Sequence, residues 1–118
     1  LRVGGLDRTG NREADMNTHE VTVVRIYLTE GEHQLQKLMA LLHDEEKVCG
    51  VTAFRGIAGF GKSGRMHSST LIDMSLDLPL VLEFFDRPEK VARVLDHLNS
   101  LVRPGHIVSW PAQVNTGE

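Results

Sequence analysis

Twice along this chain an apolar run of strand length, the first of them rich in β-branched residues, gives way to an apolar stripe at helical spacing and then to another extended run. Few folds accept that order. The first run is V-T-V-V-R-I-Y-L, from Val21 to Leu28. Side chains of a strand alternate between faces, so Thr22, Val24, Ile26 and Leu28 share one side and Val21, Val23, Arg25 and Tyr27 the other. Arg25 and Tyr27 suit a face turned toward solvent or a subunit partner. Thr29 and Glu32 then form a T-x-x-E capping box, and Leu35, Leu38, Met39 and Leu42 recur at i, i+3, i+4 and i+7, which predicts a helix packed on the sheet. Asp44, Glu45 and Glu46 sit at its C-terminal end, where the helix dipole disfavours acids, so the last turn is expected to fray before Gly50 stops it. A second strand is expected over Val51 to Ile57.

The second half repeats the plan. Pro79 to Asp86 alternates Leu80, Leu82 and Phe84 with Val81, Glu83 and Phe85, which reads as a strand buried mostly on both faces with Glu83 as its one internal charge. Asp86 is placed to cap the next helix, with Pro88 in the first turn and Glu89 at N3. Val91, Val94, Leu95, Leu98 and Val102 form its stripe. Pro104 and Gly105 end it, His106 to Trp110 makes a short last strand closed by Pro111, and the polar tail is expected to be loose. Between the halves, Ser68 to Ser75 alternates weakly through Thr70, Ile72 and Met74 and fits either a strand or a short helical turn. Right-handed crossovers and short connections make the economical solution an α+β fold, a ferredoxin-like βαββαβ sandwich with an antiparallel sheet and both helices on one face. The other face needs cover. In so small a domain another subunit commonly supplies it, so an oligomer is expected.

Composition narrows the function. At 118 residues and 41% hydrophobic, the chain can build one core, expected over residues 16–118. Leu1 to Asp15 are glycine-rich and lack apolar periodicity, so they read as a tag, an upstream-translated segment or a disordered tail, and Met16 reads as a natural start. A net charge of -3 argues against a general nucleic-acid binder. One cysteine, Cys49, excludes an internal disulfide, and its expected role is packing at a helix-to-strand junction. No stretch has the apolar length of a bilayer span, so a cytoplasmic chain without membrane insertion is expected.

The chemistry concentrates between Cys49 and Ser69. Glycines at 56, 59, 61 and 64 permit positive φ and close approach of a ligand or another backbone, and Lys62, Arg65 and His67 are spaced by small residues, so loop amides and cations can face one anion together. Gly56 to Ser63 also satisfies G-x-x-x-x-G-K-[ST], the phosphate-cradling pattern of nucleoside triphosphatases. That pattern requires a long helix from the lysine and a magnesium-binding Asp on another strand, whereas Gly64 follows at once and Asp86 is better used as a cap. Asp73 and Asp77 flank an apolar segment without a nucleophile, which favours turn or cap roles. The six histidines show no pair or Cys–His cluster at metal-ligand spacing, so no metal site is expected. No catalytic residue is assigned.

At F-R-G-I-A-G-F-G-K-S-G-R-M-H, followed by D-L-P-L-V-L-E-F-F-D, the chain resembles a bacterial family of PII-like proteins, domain of unknown function 190. Its members carry an R-G-I-x-G-F-G loop, an R-x-H just after it and an L-P-x-x-I-E strand. The match runs from Val21 to Trp110. Arg55, Gly56, Gly59, Phe60, Gly61, Arg65 and His67 fall on the family motif, and Lys62 is a local choice. The resemblance implies a ferredoxin-like homotrimer similar to PII signalling proteins, which sense adenine nucleotides in clefts between subunits. In those proteins a flexible loop after the second strand docks on a transporter or enzyme, and the frequent proximity of this family's genes to fluoride-exporter genes suggests a membrane-transport partner. The reading is a non-enzymatic regulator with an adenine nucleotide as effector rather than a resident cofactor. Lys62 and Arg65, with Ser63 beside them, are expected to meet phosphate. Gly59 and Gly61 let the backbone approach, Arg55 supports the loop base and His67 orients it. The competing readings are a nucleotide hydrolase using Gly56 to Ser63 and a purely structural trimeric docking module.

Overall fold

In the computed structural model the described residues are 17–29, 33–60, 67, 68 and 78–117. The expectations for the first fifteen residues, for Glu32, and for Gly61, Lys62, Ser63, Arg65, Thr70, Ile72, Met74, Asp73 and Asp77 lie outside them. The elements are β1 (Thr18–Thr29), α1 (Leu35–Ala40), β2 (Val51–Arg55), β3 (Ala58–Gly59), β4 (His67–Ser68), β5 (Pro79–Asp86), α2 (Pro88–Leu98) and β6 (Ile107–Asn115). Four strands form one sheet in the order β2-β5-β1-β6, and β3 and β4 make a separate two-stranded ribbon. All three ladders of the main sheet are antiparallel. This is the ferredoxin-like order expected from the sequence.

The core lies between one face of this sheet and the helices. Val24, Ile26 and Leu28 of β1 and Leu80, Leu82 and Phe84 of β5 pack with Leu38, Leu41 and Leu42 and with Val91, Val94, Leu98 and Val102. Burying each such side chain stabilises the fold by about 1.5–3 kcal/mol, so this alternation fixes which face of each strand turns inward. On β5 it leaves Val81 and Glu83 half-buried and Phe85 exposed, so within the single chain that strand is buried on one face and not on both. Phe84 and its neighbours already satisfy the core from one side.

The first crossover departs from the sequence reading at both ends. Thr29 is the last residue of β1, and α1 begins after Gln34, whose side chain makes no capping bond. Thr29 stands in the ladder opposite Pro79 of β5, which keeps it in the strand rather than at a helix cap. At the other end α1 continues into a π-helical turn, Leu41–Glu45, with Glu46 N–H donating to Leu41 O at 2.9 Å and Val48 N–H to Leu42 O at 3.1 Å. The wider turn keeps Leu41 and Leu42 in the core. Lys47 takes the left-handed conformation, φ 52°, so it and not Gly50 ends the helix. A non-glycine residue there is strained by about 1 kcal/mol. Lys47→Gly is therefore expected to raise the urea unfolding midpoint, by about 0.5–1 kcal/mol of stability, and it keeps the backbone carbonyl that accepts from Lys90 Nζ at 2.6 Å.

Arg87 is the residue before α2, with Pro88 in its first turn, and its side chain makes no capping bond. Asp86, expected as the cap, is instead a buried tie. Its carboxylate accepts the Arg87 N–H at 2.8 Å and the Cys49 N–H at 3.1 Å and pairs with Lys90 at 3.2 Å. Cys49 is held by its backbone; its thiol is exposed, not packed. Gly105 takes φ 86° in the turn before β6.

β6 runs through Pro111 to Asn115 and pairs with β1 as far as Thr18, so the expected stop at Pro111 and loose tail are both corrected. The reason is the hydrogen-bonding phase. Tyr27 N–H donates to His106 O at 2.9 Å, and alternate pairs of an antiparallel ladder repeat that pattern. Thr22 opposite Pro111 falls between, so the proline nitrogen faces outward from an edge strand, where no donor is needed.

Candidate functional site

Two features lie off the core. The first is the root of the glycine-rich loop. β2 ends at Arg55, Gly56 and Ile57 follow, and β3 pairs with β4 through Ala58 opposite Ser68 and Gly59 opposite His67. The motif therefore turns back on itself in a hairpin. Residues 60–66 connect the two strands, too few for the long helix that a triphosphatase loop feeds.

Pro79, at the start of β5, fixes this root. Gly56 N–H donates to Pro79 O at 2.7 Å. A Cβ on Gly56 would stand 2.7 Å from Pro79 Cγ, and one on Gly59 3.3 Å from the same atom. Both glycines are thus explained by the proline ring lying against their backbone. Arg55 and Phe60 are exposed, Phe60 to 70%, and Ile57 to 77%. Of the nine residues expected to meet a ligand, the structure brings together Arg55, Gly56, Gly59 and Phe60 and sets the His67 backbone opposite Gly59. Pro79 was missed as a site-shaping residue, although the L-P pair at the start of a strand was visible.

The second feature is the sheet face opposite the helices. Arg25 on β1 stands opposite Glu83 on β5 and Val108 on β6; Val23 stands opposite Phe85 and Trp110; Tyr27 and Phe54 both stand opposite Val81. Arg25 donates to Glu83 Oε1 from Nε at 3.0 Å and from a terminal nitrogen at 2.6 Å, and lies 5.5 Å from the centroid of the Trp110 ring. Hydrogen bonding to Glu83, and after it to Tyr27, pushes the guanidinium's pKa up from its ordinary value. Around this pair the large apolar side chains are open, from Trp110 at 37% to Phe54 at 47%. The partner of Glu83 follows from the antiparallel register, which sequence alone did not supply.

His106 Nδ1 lies 2.9 Å from Tyr27 O and His97 Nδ1 2.9 Å from Glu46 Oε1, so both serve local ties. Among the described residues no group of three or more His, Cys, Asp or Glu side chains is arranged to hold a metal ion, and no helix is long and apolar enough to cross a membrane.

The family model DUF190 ("Uncharacterized ACR") matches residues 21–114. The chain is 30% identical over 102 residues to the UPF0166 protein MJ1524 of Methanocaldococcus jannaschii, covering 81% of this chain and 93% of that one. A UPF0166 protein of Aquifex aeolicus is 31% identical over 80 residues, 64% of this chain and 76% of the relative. Among solved structures, CPII from Thiomonas intermedia K12, a nitrogen regulatory PII-like protein bound to ADP, AMP and bicarbonate, superposes with a TM-score of 0.61 at 16% identity, covering 88% of this chain and 94% of CPII. A ferredoxin-like sheet, a glycine hairpin rooted on a proline and these likenesses converge: the chain belongs to the DUF190 family and has the PII-like fold.

Proposed function

We propose that this chain is a non-enzymatic, cytoplasmic PII-like regulator that assembles as a homotrimer, takes an adenine nucleotide at clefts between subunits and alters its grip on a partner, such as a membrane transporter, when the ligand orders the loop. One observation carries the reading most: β3 and β4, which bracket Lys62 and Arg65 in the sequence, pair with each other, and the root of β3 is tied to the sheet at Pro79. A fixed root with cations beyond it suits a ligand-responsive element, and CPII, of the same fold, holds ADP, AMP and bicarbonate. In this reading Lys62, Ser63 and Arg65 meet the phosphates, Gly61 allows close approach, Arg55 and Phe60 flank the hairpin root and His67 orients its returning strand. The open sheet face supports the trimer, because its aromatic surface is of the kind that subunit contact covers.

The hairpin also weighs against the hydrolase reading, since β3 and β4 pair where a triphosphatase would place a helix. The test is a thermal-shift panel with ATP, ADP, AMP and cyclic nucleotides, with and without magnesium. A ligand that binds only the folded chain raises the midpoint by mass action. An adenine-nucleotide-specific rise is expected, without phosphate release. Magnesium-dependent turnover abolished by Lys62→Ala would replace the regulator with an enzyme, and no shift with any nucleotide would leave a docking module.

A further inference from the structure

We propose that the Arg25–Glu83 pair sets the register and number of subunits in the assembly, by being the one ion pair among the described residues that a second copy of this chain must accommodate on the open sheet face. The inference rests on the homotrimer reading. The pair lies at the centre of the face, between the row of Val23, Phe85 and Trp110 and the row of Tyr27, Val81 and Phe54. Its side chains are 39% and 28% exposed, so in the isolated chain water still reaches both and the pair adds little to stability.

Covering the face changes that balance. Two charges taken from water must keep their mutual geometry and satisfy their remaining hydrogen-bonding positions, and any arrangement that fails to do so is heavily penalised. Both bonds from Arg25 to Glu83 land on Oε1, so Oε2 is the oxygen that a donor from another subunit would meet. Apolar rows alone tolerate sliding, since aromatic and aliphatic surface is not directional. A central ion pair does not tolerate it.

The occupant is a second copy because the charges on the face already compensate each other. A nucleic acid or anionic membrane would meet one arginine neutralised by Glu83, and a basic partner would meet one glutamate neutralised by Arg25. Another copy brings the same balanced pair and the same aromatic rows. Edge pairing is the less favourable route, since β6 carries Pro111 on its outer edge and β2 has five residues, Val51–Arg55.

The experiment is sedimentation velocity across a concentration series, with native mass spectrometry for stoichiometry and circular dichroism for folding. The chains are native, Glu83→Gln, Arg25→Met, the double variant Arg25→Met with Glu83→Leu, and Trp110→Glu. Each single change at the pair is expected to weaken assembly about ten-fold or more while the chain stays folded. The double apolar variant is expected to regain association but to populate more than one stoichiometry. Single variants that assemble as the native chain does, or a double variant with one native stoichiometry, overturn the inference and leave the trimer reading standing. A native chain that is monomeric throughout, or an assembly indifferent to Trp110→Glu, overturns the open-face trimer and this inference with it.

Discussion

Asp86→Ala is expected to lose about 3 kcal/mol of folding stability, a large share of what a domain of this size possesses. The carboxylate is 4% exposed and ties three elements together. Oδ1 accepts the Arg87 N–H at the entrance to α2, Oδ2 accepts the Cys49 N–H just before β2, and Lys90 of α2 lies 3.2 Å from Oδ2 while also donating to Lys47 O. Removing it leaves two backbone donors without their acceptor and a partly buried ammonium with only a carbonyl. Burial acts to raise the Asp86 pKa, but bonds from Arg87, Lys90 and Cys49 outweigh it, and the net shift is downward. The folded-state pKa therefore lies below the unfolded value, about 3.9. Asp86 contributes fully above that unfolded value, and its contribution is lost as pH falls through the folded one. Urea unfolding should show Asp86→Asn less stable than the native chain at pH 7 and converging with it only in strong acid. A loss below about 1 kcal/mol for Asp86→Ala would show that the tie is incidental.

Gly56→Ala is expected to cost about 2 kcal/mol and to loosen the hairpin root. The added Cβ would stand 2.7 Å from Pro79 Cγ and 3.2 Å from Pro79 Cβ. A pyrrolidine ring cannot rotate aside as a long side chain can, and the Pro79 carbonyl is bound to Gly56 N–H at 2.7 Å, so the backbones must part. Gly50→Ala is the control, because a Cβ there meets nothing within 4 Å. In urea unfolding the Gly50 variant should match or slightly exceed the native chain. Adding Pro79→Ala to Gly56→Ala should recover part of the loss, which a double-mutant cycle reads as coupling between the two positions. Equal midpoints for the Gly50 and Gly56 variants would show that Pro79 does not constrain the loop.

The parts of the fold that were legible in the sequence are those where burial alone decides. Pro79–Asp86 was read with both ends correct because alternation of Leu80, Leu82 and Phe84 and the flanking prolines leave no other register. The α2 stripe was equally plain at Val91, Val94 and Leu98, all buried, but the helix ends at Leu98 and not at Pro104, and Val102 enters the core from the turn that follows. What failed was local signals that tertiary pairing overrode. Thr29 and Asp86 are both good capping residues, yet one is held by the sheet and the other by Arg87 and Lys90 at the start of α2 together with Cys49 before β2. Pro111 reads as a terminator unless the phase of the β1–β6 ladder is known. A lysine in the left-handed region at position 47 has no sequence mark while a glycine stands at 50.

For the site, the glycines were legible but half their reason was not. The sequence offers Gly56 and Gly59 as room for a ligand or another backbone, and the structure gives them Pro79, remote in sequence, as the partner. Arg25 and Glu83 were each noticed as lone charges in strands; only the register makes them a pair. The cationic part of the reading, Lys62, Ser63 and Arg65, stands on sequence pattern and on the hairpin that carries it.

The most direct measurement of the central claim is calorimetric titration of the native chain and of the Lys62→Ala, Arg65→Ala double variant with ADP, accompanied by AMP and ATP, and with sedimentation confirming equal assembly. The proposed regulator predicts saturable binding of an adenine nucleotide by the native chain and an affinity at least about ten-fold weaker in the variant, the loss expected on removing charge-assisted phosphate contacts. Absence of binding to any of the three nucleotides, or equal affinity in the variant, would contradict it.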